Sequence, residues 1–358
     1  MILVDIRYLI FVVLVVELVI LIILLLAIIF RRIWIRVARR NEKKDKERIS
    51  DIIIEYLKKF ENETDIEAAI VKLDQTKLKK YTYKSNFLSV MELFDRRFSG
   101  GGWGTLKAAI MKKYLLPKAE RFSKSHRWMD RNFAVRCFVL CPHPELKGDI
   151  IRLIDDPEFL VSSFAAVAAL EIKSPEGVVK IIEQMSKSQG YSYSFYRDIF
   201  LQNKFTELFK WVEELAANSK DEVHLACLEV LSGAAIIIHE PFLHQDLASS
   251  DPKIRTAALK VFAHNPQIDS LEVLSQFLKD PDDKIRAMAV YGLEFFASPG
   301  VIEKLTRALS DSSWRVRLQA AESLKTMGRI GRKVLETQTS TGNQRAYEAA
   351  QYALTFNW

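Results

Sequence analysis

The segments DPKIRTAALKVF at 251–262, PDDKIRAMAVYGL at 281–293 and DSSWRVRLQAAESL at 311–324 restate one pattern, with Arg255, Arg286 and Arg317 in register 31 residues apart. The same step taken backward marks His224, Tyr193, Ser162 and Arg131. Three residues after these markers stand Ala134, Ala165, Tyr196, Cys227, Ala258, Ala289 and Ala320, most of them small. Seven residues after them stand Phe138, Ala169, Phe200, Leu231, Phe262, Leu293 and Leu324, all apolar. A second ladder lies twelve residues before six of the markers, at Ile150, Ile181, Val212, Leu243, Leu274 and Leu305. It is echoed four residues later by Ile154, Met185, Ala216, Leu247, Leu278 and Leu309. Apolar residues at this spacing line one face of a helix, so each period carries two short amphipathic helices split by an Asp-, Pro- and Ser-rich turn. One such pair cannot bury its own stripes. Stacking pair on pair makes a continuous core, and the small residue after each marker lets neighbouring backbones approach.

LKDPDDKIRAMAVYGLEFF at 278–296, followed by SPGVIEKLTRALSDSSWRVRLQAAESLKTMG at 298–328, resembles two successive HEAT repeats of the short kind also found in phycobilisome-lyase-like proteins. The matching features are Asp280, Pro281, Ile285, Arg286 and Ala289, then Asp311, Val316, Arg317 and Ala320. The likeness is most specific over 219–328 and thinner over 125–185 and between the two. It implies an all-α fold, a right-handed α-solenoid of about seven HEAT-type hairpins over 125–358; the end RAYEAAQYALTFNW reads as a capping helix, and a single transmembrane helix is expected ahead of the solenoid. It also implies structural roles, knitting adjacent repeats, for Asp251, Arg255, Asp282, Arg286, Asp311 and Arg317. The register lapses in character around Tyr193, where Tyr191, Tyr193, Phe195 and Tyr196 crowd a Gly/Ser-containing stretch. Such rings either anchor a partner or fill the core of a degenerate repeat.

LIFVVLVVELVILIILLLAIIF at 9–30 is long enough, at about 33 Å of helix, to cross a bilayer, and residues 1–30 are expected to form a membrane anchor. A signal peptide would carry a shorter apolar region and a small-residue cleavage site, whereas this span runs into Arg31, Arg32, Trp34, Arg36, Arg39 and Arg40. That cluster outweighs Arg7 on the other side, which places the C-terminal bulk in the cytoplasm and the N-terminus outside. Trp34 sits where an interfacial aromatic belongs, and the arginines either hold anionic lipid headgroups or only set topology. Glu17 lies near mid-span, where a carboxylate costs several kcal/mol. It either pairs with a polar group on another transmembrane helix or is a tolerated neutral side chain.

Residues 31–124 lack the repeat register and read as a basic, mainly helical juxtamembrane region. Over 31–130, 25 Lys+Arg face 14 Asp+Glu, while 131–358 holds 26 against 29. The positive charge therefore sits beside the membrane and not on the repeats, which argues against nucleic acid as a partner. Ile49, Ile52, Ile53, Tyr56, Leu57 and Phe60 form an amphipathic stripe, and Thr64 with Glu67 fits a capping box for the next helix. The Gly-rich stretch 99–104 lacks P-loop spacing and is expected to be a hinge.

His239 and His244 are five residues apart with Pro241 between them, unlike the i, i+4 pair of a zinc protease. Cys137, Cys141 and His143 have a ligand-like spacing without an evident fourth ligand. An odd number of cysteines favours a reducing compartment. No nucleophile elbow, dinucleotide fingerprint or metal set emerges, so no catalytic residue and no cofactor is expected. The function expected is a scaffold that binds a protein partner, including a membrane protein, at the cytoplasmic face. A bilin-lyase-like enzyme and a nucleic-acid-binding HEAT protein are the alternatives.

Overall fold

The computed structural model describes residues 6–59, 65–73, 78, 82, 86–203, 205–234, 242–265, 270–296, 298–340 and 342–355, and among them it is helical without a strand. The chain divides into two compact units, 1–141 and 142–358.

The first unit begins with one uninterrupted helix, α1 (Ile6–Lys59), about 81 Å long. Within it residues 11–30 are apolar except for Glu17, and all of them are exposed. Further along, where the sequence turns amphipathic, Ile49 and Ile53 are fully buried against α3 (Asn86–Arg97) and α4 (Gly101–Ile110). Between these lies α2 (Ile66–Leu73), whose first turn is capped by Asp65, with Glu67 N donating to Asp65 Oδ1 at 2.9 Å. The expected partner Thr64 lies outside the described residues, as does Phe60. The π-helical turn Met111–Leu115 precedes α5 (Leu116–Ser123), where Pro117 has no amide to continue the ladder. Helix α6 (Trp128–Leu140) packs on α5. Arg136 holds α6 to α3 through Glu92, donating from Nε at 2.7 Å and Nη2 at 2.5 Å.

The second unit is an α-solenoid. Its described helices fall in pairs: α7 (Lys147–Ile154) with α8 (Phe159–Glu171), α9 (Pro175–Ser186) with α10 (Gly190–Gln202), and α11 (Thr206–Asn218) with α12 (Asp221–Gly233). Then come α13 (Phe242–Leu247) with α14 (Pro252–His264), α15 (Ser270–Gln276) with α16 (Asp283–Leu293), α17 (Pro299–Ala308) with α18 (Trp314–Thr326), and α19 (Arg329–Gln338) with α20 (Gln344–Thr355). The marker helices α6, α8, α10, α12, α14, α16 and α18 start at residues 128, 159, 190, 221, 252, 283 and 314, which is the 31-residue step of the sequence.

Burial follows the two ladders. Every residue three and seven places after a marker is buried, from Ala134 and Phe138 to Ala320 and Leu324. In the preceding helices Ile150, Ile181, Val212, Leu243, Leu274 and Leu305 are buried too, while Leu278, in the short 3-10 turn Phe277–Lys279, is half-buried. Ser174, Asp251, Asp282 and Ser298 cap α9, α14, α16 and α17 by accepting from first-turn amides, which satisfies donors that the helix leaves free.

Candidate functional site

The marker arginines act first on their own turns. Arg255 Nη1 donates to the carbonyls of Ser249 (2.8 Å) and Ser250 (3.2 Å), Arg286 Nη1 to Asp280 (2.8 Å) and Pro281 (3.2 Å), and Arg317 Nη1 to Asp311 (2.8 Å) and Ser312 (3.0 Å). Arg131 clamps Ser125 and His126 in the same way, at 3.0 and 2.9 Å. One guanidinium thus gathers two successive carbonyls of each of these four turns. Arg286 also reaches the next repeat, where Nε and Nη2 bond Asp311 Oδ2 and Oδ1 at 3.0 and 2.8 Å. Asp251 and Asp282 serve as helix caps within their own repeats. Sequence reasoning missed Lys260, which pairs with Glu229 exactly one repeat earlier at 2.8 Å, because both read as ordinary surface charges.

Three successive markers carry no arginine, and there the joints are built differently. Ser162 Oγ accepts from Tyr196 OH at 2.9 Å, a buried bond between consecutive marker helices. Tyr196 fills a slot that elsewhere holds Ala or Cys, and the small Ser162 makes room for it. Phe159 sits in edge-to-face contact with Tyr191, Phe195 and Tyr196 at centroid distances of 5.7, 5.4 and 6.1 Å. The four rings expected as a patch therefore divide. Tyr196 is core, Phe195 and Tyr193 are half-buried, and Tyr191 is 77% exposed. Burial pushes the Tyr193 phenol up to about 12. A large ring in the small-residue slot keeps α10 from nesting as the later marker helices do, and α12 packs on α9 as well as on α11 and α14.

On α1, Glu17 is exposed within the apolar stretch. Phe11 to Phe30 lie in the helix with no part of the most apolar window buried, at a mean hydropathy of 3.6. Arg31, Arg32, Arg36, Arg39 and Arg40 follow, exposed and without an ion-pair partner among the described residues, and Trp34 is 64% exposed beside them. Farther on the charges compensate one another, as in Lys46–Glu42 at 2.7 Å and Lys43–Glu47 at 4.0 Å.

The stretch expected as a hinge is helical from Gly101, with Gly100 at φ 136 as its uncapped start. Leu57, Lys58, Phe98, Gly100 to Gly102 and Trp103 line a cavity of about 380 Å³ beside it. Cys137 and Cys227 are buried, and burial pushes both thiols up, Cys227 to about 12. Burial raises the Cys141 thiol as well. Among the described residues no group of three or more His, Cys, Asp or Glu gathers to hold a metal ion. His239 and Glu240 lie outside those residues, and His244 is exposed on α13.

Paired helices at a fixed 31-residue step, four of whose seven marker positions clamp the preceding turn with an arginine, define a helical-repeat solenoid. The family described as HEAT repeats matches residues 240–325 and 271–341, and the C-terminal part of the solenoid is built of HEAT repeats. A comparison with curated proteins finds no match. Among solved structures the chain is similar to human deoxyhypusine hydroxylase in complex with glycerol, at 15% identity over 81% of this chain and 94% of that one, with a TM-score of 0.28. It is also similar to Kap121p bound to Pho4p, at 12% identity over 82% and 46% with a TM-score of 0.32. A designed armadillo repeat protein shares 16% identity over 67% and 98%, with a TM-score of 0.19.

Proposed function

We propose that this protein is a membrane-anchored scaffold: α1 crosses the bilayer, the HEAT-repeat unit stands on the cytoplasmic side, and its surface holds a protein partner rather than catalysing a reaction. The observation that carries the reading is the surface of α1. A helical stretch that is apolar but for Glu17, with nothing buried, runs without a break into five arginines that find no ion-pair partner among the described residues, an arrangement that lipid tails and then anionic headgroups would satisfy. The charge asymmetry supports the orientation. Repeat stacking supports the binding role, because solenoids present extended surfaces and partner-binding side chains can vary on them without disturbing the core. Tyr191, set edge-to-face on Phe159, which also packs against Phe195, is the part of that surface we assign to the partner, since a projecting ring backed by other rings is the usual form of an interface anchor. Glu17 is assigned to pairing with another transmembrane helix.

The test is a pair of fusions after Trp358, one to a cytoplasmic fluorescent reporter and one to alkaline phosphatase, alongside carbonate extraction of membranes. A fluorescent fusion retained in the pellet is the expected result. Active phosphatase would overturn the orientation, and release by carbonate would overturn the anchor.

A further inference from the structure

His224 occupies the marker position that arginine holds in the repeats on either side of the irregular stretch, and it too bonds outward in two directions. Its Nδ1 lies 2.9 Å from the carbonyl oxygen of Ala216, in the last turn of α11, and its Nε2 lies 2.8 Å from Asp246 Oδ2 on α13, in the next hairpin. The ring is 6% exposed. A carbonyl oxygen can only accept, and so can an ionised carboxylate. Both ring nitrogens must therefore carry hydrogen, which only the imidazolium does. A neutral ring has one N–H and would face one of its two acceptors with a lone pair.

We propose that His224 is a protonation-dependent joint of the solenoid: charged, it ties α12 to α11 and to α13, and neutral, it gives up one of those ties and loosens the α11–α12 hairpin from the one that follows. At the same position Arg255, Arg286 and Arg317 carry a cation that no accessible pH removes. The groups facing the ring are few. From α11 there is the Ala216 carbonyl, and from α13 Asp246 and the edge of Phe242, at 5.9 Å between centroids. From α9, α10 and α14, which also pack on α12, no charged or titratable side chain among the described residues contacts it. The hydrogen bond to Asp246 is the main cause that raises the His224 pKa, burial opposes it, and the Ala216 carbonyl adds to it. A raised pKa means that the tie is complete at and below the ordinary histidine range and is lost as pH rises through the elevated value.

The experiment is hydrogen–deuterium exchange of the full chain in lipid nanodiscs, corrected for intrinsic rates, at pH values from about 6 to about 9, which bracket the imidazole range. Segments 206–218, 221–233 and 242–247 should lose protection by about tenfold or more over that interval, the size expected for one charge-assisted hydrogen bond, while 314–326, clamped by arginine, should not change. Asp246→Asn should flatten the response, because its amide can donate to a neutral imidazole. The His224 Cε1 proton resonance of the unaltered protein gives a second reading that needs no variant, and it should titrate above the ordinary histidine range. Unchanged protection, an equal loss in 314–326, or a His224 midpoint at or below the ordinary range would each overturn the proposal.

Discussion

Replacing Arg286 by Ala should destabilise the C-terminal repeats far more than replacing Arg255. Both guanidiniums clamp two carbonyls of their own turn, but Arg286 also holds Asp311 through two bonds, with side chains only 12% and 16% exposed. Burial alone would push the Asp311 carboxyl up. The guanidinium reverses this and holds it below the ordinary aspartate range. Arg286→Ala therefore removes four hydrogen bonds and strands a largely buried carboxylate, which costs about 3–5 kcal/mol. Arg255→Ala loses only its turn contacts, about 1–3 kcal/mol. A double-mutant cycle of Arg286→Ala with Asp311→Ala isolates the pair and should give a coupling of about 1–3 kcal/mol. Stability here is local, so the measurement is native-state exchange of 283–293 and 314–326 rather than a single melting point. The folded carboxyl pKa is depressed, so the coupling should be whole above the ordinary aspartate range and vanish as pH falls through the lowered value. Equal costs for the two Ala variants, or a coupling below about 0.5 kcal/mol, would refute the assignment of Arg286 as a bond between repeats.

Other outcomes follow from the same geometry. Tyr191→Ala should change exchange protection by less than about 0.5 kcal/mol because the ring is exposed, yet lower the yield of the partner captured by crosslinking; Tyr196→Phe should do the reverse, costing about 1 kcal/mol for the bond to Ser162. Cys137 and Cys227 should resist a maleimide reagent in the folded protein and react on unfolding, as burial and raised thiol pKa values require; rapid labelling of the native chain would contradict the packing of α6 and α12. Glu17→Leu should insert as well as the unaltered chain but lose crosslinks to transmembrane partners, each lost interhelical bond being worth about 0.6–2 kcal/mol, with Glu17→Gln intermediate. Equal crosslinking for all three chains would make Glu17 a passenger.

The fold was legible where a residue's role depends on spacing alone. Arg255, Arg286 and Arg317 mark helices that begin one repeat apart, and every ladder residue named from the sequence except the half-buried Leu278 packs the core. Spacing does not say which way a polar side chain turns. Asp251 and Asp282, four residues before their markers, face their own first-turn amides, while Asp311, six before its marker, accepts from Ser313 N and also reaches Arg286 of the preceding repeat. The glycines at 101, 102 and 104 read as a hinge because glycine is a poor helix former. Packing of Trp103 and Leu106, with Trp103 Nε1 donating to Asp95 at 3.0 Å, outweighs a propensity cost of about 1 kcal/mol per glycine. The aromatic patch was legible as a cluster but not as a division between core and surface, which depends on Ser162 being small 34 residues earlier.

The departures from the repeat fall together, at three successive markers. Where arginine would clamp the turn, Ser162 and Tyr196 supply a neutral hydroxyl pair, Tyr193 supplies a ring, and His224 supplies a cation that can be discharged. Each substitution exchanges a fixed charge-assisted tie for a weaker or conditional one, so local opening should cost less in α8 to α13 than in α14 to α18. A stacked array transmits only through neighbours, and a weak joint in its middle lets the two ends shift against each other while each keeps its core. The rings of Phe159, Tyr191 and Phe195 lie on that weak stretch. If the two proposals hold, a partner packed on them would bias the joint, and the charge state of His224 would bias how firmly that partner is held, by the same free energy in both directions.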